Sequence, residues 1–510
     1  MSTAEELEQE VHRLVRGDRL QQAAAICDEL NRQNPDYASG WYTTSRIATV
    51  IGDPGLALQA VDRALHLSPG NPKWVLQRIE CLGAAGETDA ATEQARQLAS
   101  HTFDAAGFAA DFGLSLTKLG LFELAREQYG RACELEPGNI SHYFSLASAL
   151  RYLGDLDSAQ AAFESCLKID PDNAAAMLQR SQLRAWTRDN NNIADLDAAH
   201  DRFSEDSPLR HQVCYALAKE LADTGDFDRS FEVLLEGSTL YRESVAYDPD
   251  SDLDALRAIP RCYGRDMFSR GIEGHVSAEP IFVFGMPLSG VTLVERVLVS
   301  HPAVQFAGEL GTFAHELMKH CQRVPGPAAQ NTSEMVERST SIDFAALGSD
   351  YLEGTRPATG IKPHFVDKQP LNFQYAGLIH LALPKAKIIL LQRDPMDNFY
   401  AMFRSLFDGR YAFTYDAVEL ANYYAAYSKL MDHWQSVMPG VIHIVKYEEL
   451  VTDPKPVIER CLEHCSLSLN EDCLTANVRR EESIGIWQSF ARHLEPAAEI
   501  LRTAGIHADE

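Results

Sequence analysis

The sequence predicts two architectures in one chain: an all-α solenoid over residues 1–240 and an α/β domain with a mainly parallel, three-layer sheet over residues 279–510. Three observations predict them. The first half repeats at a fixed interval, the second half alternates short apolar runs with helical patterns, and a glycine-bounded loop directly follows the first of those runs. The charged stretch 241–278 is interpreted as a connector.

The first half repeats about every 34 residues, and two sets of residues mark the period. The markers are Pro35, Pro69, Pro137 and Pro171, and Gly17, Gly52, Gly86, Gly120 and Gly154. A glycine permits a left-handed turn between two helices, and a proline ends the second helix of a pair. Small residues such as Ala57 and Ala91 follow five positions after the glycines, so the paired helices approach closely. Since one hairpin cannot bury its apolar face alone, we expect the copies to stack.

A helix–turn–helix unit of 34 residues is typical of tetratricopeptide repeats. Residues 118–138 and 152–173 resemble that family's consensus, and the period indicates six to seven hairpins over residues 4–240. The resemblance implies a groove that binds a protein or peptide. A purely structural or oligomerising scaffold is the alternative, and no residue names a ligand.

Composition narrows the functional classes. A net charge of −27 argues against a nucleic-acid partner, because phosphate binding needs clustered lysine and arginine. No apolar stretch reaches the roughly 18–20 residues of a membrane span, and the acidic, amphipathic N-terminus is unlike a signal peptide. The ten cysteines form no Cys-x-x-Cys pair, so we expect a cytoplasmic protein. The oligomeric state is not indicated.

The second half alternates candidate strands with helical patterns. The predicted strands are 280–284, 304–306, 365–367, 386–392 and 441–447, and the helices between them include 372–383, 397–407, 420–438 and 455–464. This alternation favours a mainly parallel sheet between two helical layers. Such sheets bind ligands at the carboxyl ends of their strands, which is where the glycine-bounded loop lies.

The loop from Gly285 to Thr292 joins the first strand to a helix, an arrangement that directs backbone N–H groups at a phosphate. Gly285 and Gly290 have the spacing of the two glycines in a nucleotide-triphosphate loop. Val291 stands where that motif needs lysine, so a nucleoside-triphosphatase or kinase is disfavoured.

The loop resembles the 5′-phosphosulfate loop of sulfotransferases, usually written G-x-P-[RK]-S-G-T-[TS]-L. The matching residues are Gly285, Pro287, Ser289, Gly290, Thr292 and Leu293. Two further blocks, 366–404 and 483–496, resemble bacterial tetratricopeptide–sulfotransferase fusions and, more distantly, tyrosylprotein sulfotransferases. The resemblance implies a P-loop-like sulfotransferase fold over about residues 279–497.

The family resemblance implies roles for individual residues and a donor, 3′-phosphoadenosine-5′-phosphosulfate. The loop residues, above all Ser289 and Thr292, would hold its 5′-phosphate, and Arg393 its 3′-phosphate. Trp487 belongs to the segment that covers the nucleotide. Lys368 would face the sulfonate or bridging oxygen, and Glu309 would be the general base, with no metal required.

Each of these residues taken singly also has a simpler explanation. Arg393 would serve as a surface ion pair with a nearby aspartate, Lys368 as a strand-end charge, and Glu309 as a helix cap. His315 and His320 are five apart and do not share a helix face, so no zinc site is predicted between them. The three motif blocks follow one another in the same order as in the family, and this order favours functional roles for these residues over the simpler explanations.

Three positions depart from the family pattern. Leu288 replaces a cation, Val291 a hydroxyl donor, and Ala401 a serine of the 3′-phosphate site. Each lost contact typically lowers the rate by about 10²–10³-fold. Arg296 and Arg404 are the candidates to supply the missing charge. Two functions remain open: an active sulfotransferase, and a catalytically impaired relative that acts as a binding or scaffold module.

Overall fold

The computed structural model describes residues 3–360, 362–476, 478 and 484–507, without the side chain of Pro357. Two compact units divide between Ala185 and Trp186. The repeat period predicts that the repeat array ends near residue 240, and this boundary stays a prediction.

The first unit is entirely helical in its described part, and consecutive helices form antiparallel hairpins, as predicted. Its helices are α1 (Ala4–Arg16), α2 (Leu20–Gln33), α3 (Ala38–Ile51), α4 (Pro54–Leu67), α5 (Pro72–Ala84), α6 (Thr88–Ala99), α7 (Ala106–Lys118), α8 (Phe122–Leu135), α9 (Ile140–Leu153), α10 (Leu156–Ile169) and α11 (Ala174–Ser181). No helix among the described residues of the chain is long and apolar enough to cross a membrane.

The repeat markers have the structural roles that their chemistry predicts. The turn glycines Gly52, Gly86, Gly120 and Gly154 have φ values of 85°, 80°, 73° and 78°. The first turn differs, because Gly17 has φ −91° and Asp18 takes the left-handed conformation with φ 55°. Ala57 and Ala91 are fully buried, so the paired helices do pack closely there.

The second unit contains the sheet and helices on both of its faces. Its strands are β1 (Pro280–Phe284), β2 (Val304–Phe306), β3 (His364–Asp367), β4 (Lys387–Gln392) and β5 (Ile442–Lys446). Its α-helices are α12 (Ile193–Arg202), α13 (Arg210–Thr224), α14 (Phe227–Ser244), α15 (Pro249–Cys262), α16 (Arg265–Ser269), α17 (Val291–Val299), α18 (Thr312–Arg323), α19 (Thr332–Ser339), α20 (Phe344–Thr359), α21 (Ala376–Ala382), α22 (Pro395–Phe403), α23 (Ala417–Val437), α24 (Tyr447–Thr452), α25 (Pro454–His464), α26 (Glu471–Leu474) and α27 (Ala491–Thr503). Short 3₁₀ helices span Pro370–Tyr375, Ala412–Tyr415 and Ile486–Phe490.

The sheet is parallel throughout, in the order β2-β3-β1-β4-β5, which confirms the predicted fold class. Each strand lies within one residue of its predicted bounds. Strand β1 is central and all five of its residues are buried. Phe282 pairs with Asp367 of β3 on one side and Ile388 of β4 on the other. The loop after β1 therefore emerges between the carboxyl ends of β3 and β4.

The two faces of the sheet bury different side chains, because successive residues of a strand point to opposite faces. Ile281 and Val283 join an aliphatic core with residues of α17 and α25. Phe282 faces the other way, with its ring centroid 6.1 Å from that of Phe313 and 5.5 Å from that of Tyr351. Burial on both faces is what makes β1 an uninterrupted apolar run in the sequence.

Helices α13 and α14 pack on the α/β part of the second unit. The guanidinium of Arg242 on α14 makes two hydrogen bonds to Glu419 on α23, at 2.8 and 2.9 Å. The Tyr241 ring lies edge-on to Tyr415, with centroids 4.6 Å apart. The stretch predicted as a connector contains α15 and α16, and α15 packs on α19 and α23. The last repeat-like hairpin thus supports the fold that holds the site.

Candidate functional site

The carboxyl ends of all five strands lead to polar groups at one edge of the sheet. Residues 285–290, the glycine loop, follow β1 directly, while Lys368 follows β3 and Arg393 follows β4. Glu309 comes three residues after β2, and Tyr447 directly follows β5. Because the strands are parallel, these groups converge on the same end of the sheet, which is where α/β proteins bind ligands.

Gly290 ends the glycine loop and starts α17 in a conformation that favours glycine. Its φ is 106°, and a Cβ atom there would lie 2.6 Å from the Tyr447 ring. The next residues, Val291, Thr292 and Leu293, form the first turn of α17. The first N–H groups of a helix have no partners within the helix, so this turn presents donors and a partial positive charge to the cleft. The arrangement suits an anion.

Ser289 lies beneath the glycine loop rather than on its surface. Its hydroxyl is buried and has no hydrogen-bond partner among the described residues. A Cβ atom at Gly285 would approach that hydroxyl to 2.6 Å and the Leu391 carbonyl oxygen to the same distance. Buried hydroxyls are normally paired, so an unpaired one at an anion-shaped loop fits a donor to a bound phosphate.

Two side chains fasten the glycine loop from the neighbouring strand and helix. Asn398 on α22 donates to the carbonyl oxygen of Pro287 at 2.8 Å. Arg393 donates to the carbonyl oxygen of Leu288 at 3.1 Å, and its guanidinium lies 4.7 Å from the centre of the Tyr447 ring. Arg393 therefore lies beside the loop, and a cation–π contact holds its guanidinium against the Tyr447 ring.

Lys368 and Glu309, the two predicted catalytic residues, form an ion pair. The ammonium of Lys368 lies 2.8 Å from a Glu309 carboxylate oxygen and 3.8 Å from one of Glu295. Burial raises the pKa of Glu295, while the nearby Lys368 acts in the opposite direction. Glu295 lies on α17, and sequence reasoning missed it. One lysine thus stands between two carboxylates, one buried and one facing the cleft.

Asp367, the last residue of β3, is fully buried next to Lys368. Burial raises the pKa of its carboxyl to about 7, although hydrogen bonds from Tyr351 and Asn372 act to lower it. The Tyr351 hydroxyl donates at 2.9 Å and the Asn372 amide at 3.2 Å. These bonds fix the end of the strand that carries Lys368, so Asp367 positions the lysine.

A cleft of about 710 Å³ opens in front of the glycine loop. It is lined by Pro287, Leu288, Gly290, Val291, Thr292, Leu293, Glu309, Pro370, Phe407, Asp408, Arg410, Tyr411 and Tyr447. Leu288, which stands where the family pattern has a cation, is 42% exposed. The general base and the anion cradle that the sequence predicts therefore share one cleft.

A second, smaller cavity of about 220 Å³ lies on the Arg393 side of the loop, and Asp394, Asn398 and Glu448 also line it. Glu448 accepts the backbone N–H of Asp394 at 2.8 Å. Burial is the main cause that raises the pKa of Glu448. The carboxylates of Asp394 and Glu448 thus line the same cavity as the Arg393 guanidinium.

Residues 484–490, the C-terminal segment, are tied to α22 by one carboxylate. Asp397 accepts the N–H of Gly485 at 2.6 Å and that of Trp487 at 3.3 Å. Trp487 is thus anchored through its backbone next to the helix that follows Arg393. Ser483, the first residue of the third family block, lies outside the described residues.

The structure shows the surroundings of Ala401 and of the two arginines that were candidates to replace the missing cation. Ala401 is buried on α22, and its carbonyl oxygen accepts a hydrogen bond from Ser405. Arg404 lies 5.3 Å from the centre of the Tyr400 ring. Among the described residues, neither Arg404 nor Arg296 belongs to the lining of the cleft. Neither is therefore placed to replace the cation missing at Leu288.

A possible metal-ligand group occurs away from the cleft. His200, Cys214 and Glu236 place one ligand atom each within 4.8 Å of one another. Arg210 donates to Glu236 at 2.6 Å, and its guanidinium also lies 2.9 Å from the His200 ring nitrogen, so a cation already fills this cluster. His320 pairs with Asp350 at 2.9 Å. That the protein needs no metal stays a prediction.

Comparisons with known proteins identify both parts of the chain. Residues 280–471 match the model of the sulfotransferase family. Residues 9–72 and 142–173 match tetratricopeptide-repeat models. The α/β domain is therefore a sulfotransferase-family domain. The chain thus joins a region that matches sulfotransferases to regions that match tetratricopeptide repeats, a combination that fits a tetratricopeptide-repeat sulfotransferase family.

Two curated relatives align with long parts of the chain. An uncharacterised protein of Aquifex aeolicus (strain VF5) is 27% identical over 394 residues, which cover 73% of this chain and 51% of that protein. Protein-tyrosine sulfotransferase A of Caenorhabditis elegans is 24% identical over 211 residues, covering 40% of this chain and 54% of that protein. The chain spans about half the length of these relatives.

Solved structures of tetratricopeptide-repeat proteins are also similar to this chain. One from Thermus thermophilus has 17% identity and a TM-score of 0.29, and covers 36% of this chain and 98% of its own. One from Parabacteroides merdae has 15% identity and a TM-score of 0.32, and covers 46% of this chain and 93% of its own.

Proposed function

We propose that the chain is a sulfotransferase, which moves a sulfuryl group from 3′-phosphoadenosine-5′-phosphosulfate to a hydroxyl acceptor. The observation that supports this best is the Lys368–Glu309 pair, 2.8 Å apart, at the mouth of a loop shaped for an anion. The match to the sulfotransferase family supports the fold and suggests the class of reaction, whereas donor and acceptor must be argued from the site, since one fold hosts several chemistries.

In this proposal each group has one task. The N–H groups of the first turn of α17, with Ser289 and Thr292, bind the 5′-phosphate, and Arg393 binds the 3′-phosphate as a charged fork. The acceptor oxygen forms a bond to sulfur while the bond from sulfur to the 5′-phosphate oxygen breaks. Glu309 takes the acceptor proton, and Lys368 stabilises charge on the transferring group.

A catalytically impaired binding module is the second candidate function. It is favoured by the three replacements, because Leu288, Val291 and Ala401 together remove a cation and two hydroxyl groups from the donor site. The anion-shaped loop would then bind a nucleotide without transferring a group. Effects of residues that act together are not additive, so the replacements alone do not decide between the two functions.

For the partner, we propose that the repeats recruit a protein or peptide that carries the acceptor hydroxyl. Support comes from the tetratricopeptide repeats, an architecture that presents extended concave surfaces. The relative named a protein-tyrosine sulfotransferase is in keeping with a protein acceptor. We also propose a cytoplasmic location, since all ten cysteines are free thiols.

The direct test measures binding of 3′,5′-bisphosphoadenosine by calorimetry to the wild-type chain, to Arg393→Ala and to Arg404→Ala. We expect Arg393→Ala to weaken binding by about 10–100-fold, as expected for loss of a charge-assisted bond, with Arg404→Ala close to wild type. Failure of the wild-type chain to bind would overturn the donor assignment.

Transfer is then assayed in the reverse direction, with p-nitrophenyl sulfate as the sulfuryl donor and 3′,5′-bisphosphoadenosine as the acceptor. Release of p-nitrophenol is followed by absorbance, so the assay does not require the natural acceptor. Turnover that depends on Arg393 supports the enzyme. Nucleotide binding without any turnover would favour the binding module.

A further inference from the structure

We propose that Arg410 supplies the positive charge that is missing because Leu288 stands where the family pattern has a cation. In this proposal Arg410 contacts the sulfonate of the donor during transfer. This proposal rests on the sulfotransferase function proposed above. Arg410 belongs to a different segment from the glycine loop, so the cleft would keep a cation that comes from another part of the chain.

The composition of the cleft lining carries the proposal. Arg410 is the one basic side chain among the described residues that line it, with Glu309 and Asp408 as the acidic ones. Its side chain is 73% exposed, and its guanidinium lies 3.5 Å from a Glu309 carboxylate oxygen. An anionic donor entering this cleft would therefore meet an exposed guanidinium next to the proposed general base.

The charges around Glu309 explain why a second cation is needed. Lys368 is nearly buried, and its ammonium is already matched by Glu309 at 2.8 Å and Glu295 at 3.8 Å. One lysine between two carboxylates leaves little positive charge for a sulfonate. Arg410 approaches Glu309 from the solvent side, so its guanidinium adds charge where the donor would enter.

Arg410 is held by a tight turn, residues 407–411. The N–H of Arg410 donates to the Phe407 carbonyl oxygen at 3.0 Å, and the N–H of Phe407 donates to the Tyr415 hydroxyl at 2.8 Å. Asp408 and Tyr411 are left-handed, with φ 48° and 52°. Non-glycine residues keep such conformations only where their surroundings impose them, and they cluster at functional sites.

The turn rests on the last repeat-like hairpin. The Tyr241 ring of α14 packs edge-on against Tyr415 at 4.6 Å, and the His211 ring of α13 lies 4.6 Å from Tyr241. Tyr415 in turn accepts the hydrogen bond that fixes Phe407. Helices α13 and α14 thus help to position a cation at the reacting end of the cleft.

The transfer step conserves atoms and electrons. The acceptor oxygen forms a bond to sulfur, the bond from sulfur to the 5′-phosphate oxygen breaks, and the bond electrons leave with 3′,5′-bisphosphoadenosine. The acceptor proton passes to Glu309. Arg410 exchanges its contact with Glu309 for one with a sulfonate oxygen, which also frees the carboxylate to accept that proton.

The test compares Arg410→Ala, Arg410→Lys and the control Arg404→Ala in the p-nitrophenyl sulfate assay, with calorimetric binding of 3′,5′-bisphosphoadenosine. We expect Arg410→Ala to lower kcat by about 10²–10³-fold while nucleotide affinity changes less than about fivefold, since the product nucleotide lacks the sulfonate. Arg410→Lys should recover part of the rate. Arg404 lies outside the cleft lining, so the kcat of Arg404→Ala should stay within about twofold of the wild-type value.

Moving the cation back gives a sharper test. Leu288→Arg in the Arg410→Ala background should raise the rate at least about tenfold, because a positive charge then returns to the lining of the same cleft. Full turnover by Arg410→Ala would overturn the Arg410 role while leaving the sulfotransferase function intact. A wild-type chain that binds no nucleotide, or binds it without turnover, would overturn both.

Discussion

The ammonium of Lys368 lies 2.8 Å from a carboxylate oxygen of Glu309, which joins the carboxyl ends of two neighbouring strands, β2 and β3. The backbone reinforces the link, because the N–H of Lys368 donates to the Gly308 carbonyl oxygen at 3.2 Å. Two contacts thus hold Lys368 to Gly308 and Glu309, although Glu309 is 59 positions away in the chain. The proposed base and the proposed cation are therefore already paired before any ligand binds.

Replacement of Glu309 by glutamine should abolish proton transfer without disturbing nucleotide binding. The amide keeps the shape of the side chain but accepts no proton, so we expect transfer to a phenolic acceptor to fall by about 10²–10⁴-fold. Calorimetry with 3′,5′-bisphosphoadenosine should give a dissociation constant close to that of wild type. A rate equal to wild type would show that another group is the base.

The stability of the α/β domain should decrease as pH rises through 7, because of Asp367. Burial raises the pKa of this carboxyl to about 7 in the folded chain. An exposed aspartate has a pKa of about 3.9, so the folded state binds the proton more tightly than the unfolded state. This contribution to stability is complete below about pH 4 and is lost as pH rises through about 7.

The measurement is urea unfolding at several pH values, followed by tryptophan fluorescence, to which the buried Trp434 of the α/β domain contributes. Relative to wild type, Asp367→Asn should gain about 3 kcal/mol in free energy of unfolding between pH 5 and pH 8. Tyr351→Phe removes a hydrogen bond that lowers the pKa of Asp367, so it should move the loss of stability to higher pH. Parallel pH profiles for wild type and Asp367→Asn would contradict the assignment.

The elements were predictable because their signals are local. Strand β1 reads as an apolar run because it is buried on both faces, and the run stops at Gly285, where the loop begins. Helix α22 shows the limit of such signals. It begins at Pro395 rather than at the predicted Asp397, because Asp394 accepts the N–H groups of Met396 and Asp397 and so caps the first turn.

The contacts of the site were predictable only in part, because they depend on which strands are neighbours. Glu295 lies within an apolar helical pattern, and only the β3-β1 pairing brings α17 close enough for it to meet Lys368. Tyr447 follows a strand at the functional edge, a signal that sequence reasoning could have used. Arg410 lies in a turn, and no periodic pattern marks it. Arg296 and Arg404 are the candidates that the sequence suggests for the cation missing at Leu288. They follow the glycine loop and Arg393 closely in sequence, but they lie outside the lining of the cleft.

Gly290→Ala should disable the glycine loop through two independent penalties. The residue has φ 106°, and the added methyl group would lie 2.6 Å from the Tyr447 ring. The backbone strain alone costs about 1–3 kcal/mol. Gly308→Ala is the matched control, since Gly308 has φ 76° but its nearest neighbouring atom lies 3.7 Å away. We expect loss of nucleotide binding for Gly290→Ala and only modest destabilisation for Gly308→Ala, measured by calorimetry and thermal unfolding.

The ion pair between Arg242 and Glu419 should couple α14 energetically to α23. Both side chains are 21% exposed, and the pair is bidentate. A double-mutant cycle with Arg242→Ala and Glu419→Ala should give a coupling energy of about 1–3 kcal/mol, well above that of an exposed pair. The cycle is measured by urea unfolding at low and high salt. A coupling near zero would mean that the hairpin is held by its aromatic contacts alone.

The C-terminal segment should loosen when Asp397 loses its carboxylate. This side chain is buried and accepts the N–H groups of both Gly485 and Trp487, at 2.6 and 3.3 Å. A hydrogen bond to a charged group contributes about 1.5–3 kcal/mol, so in Asp397→Ala the two amides should exchange with deuterium about 10–100-fold faster. Asp397→Asn keeps one oxygen acceptor and should be intermediate. Asp228→Asn, which breaks the exposed contact of Asp228 with His493 on α27, should leave both amides unchanged. Unaltered exchange in Asp397→Ala would show that other contacts hold the segment in place.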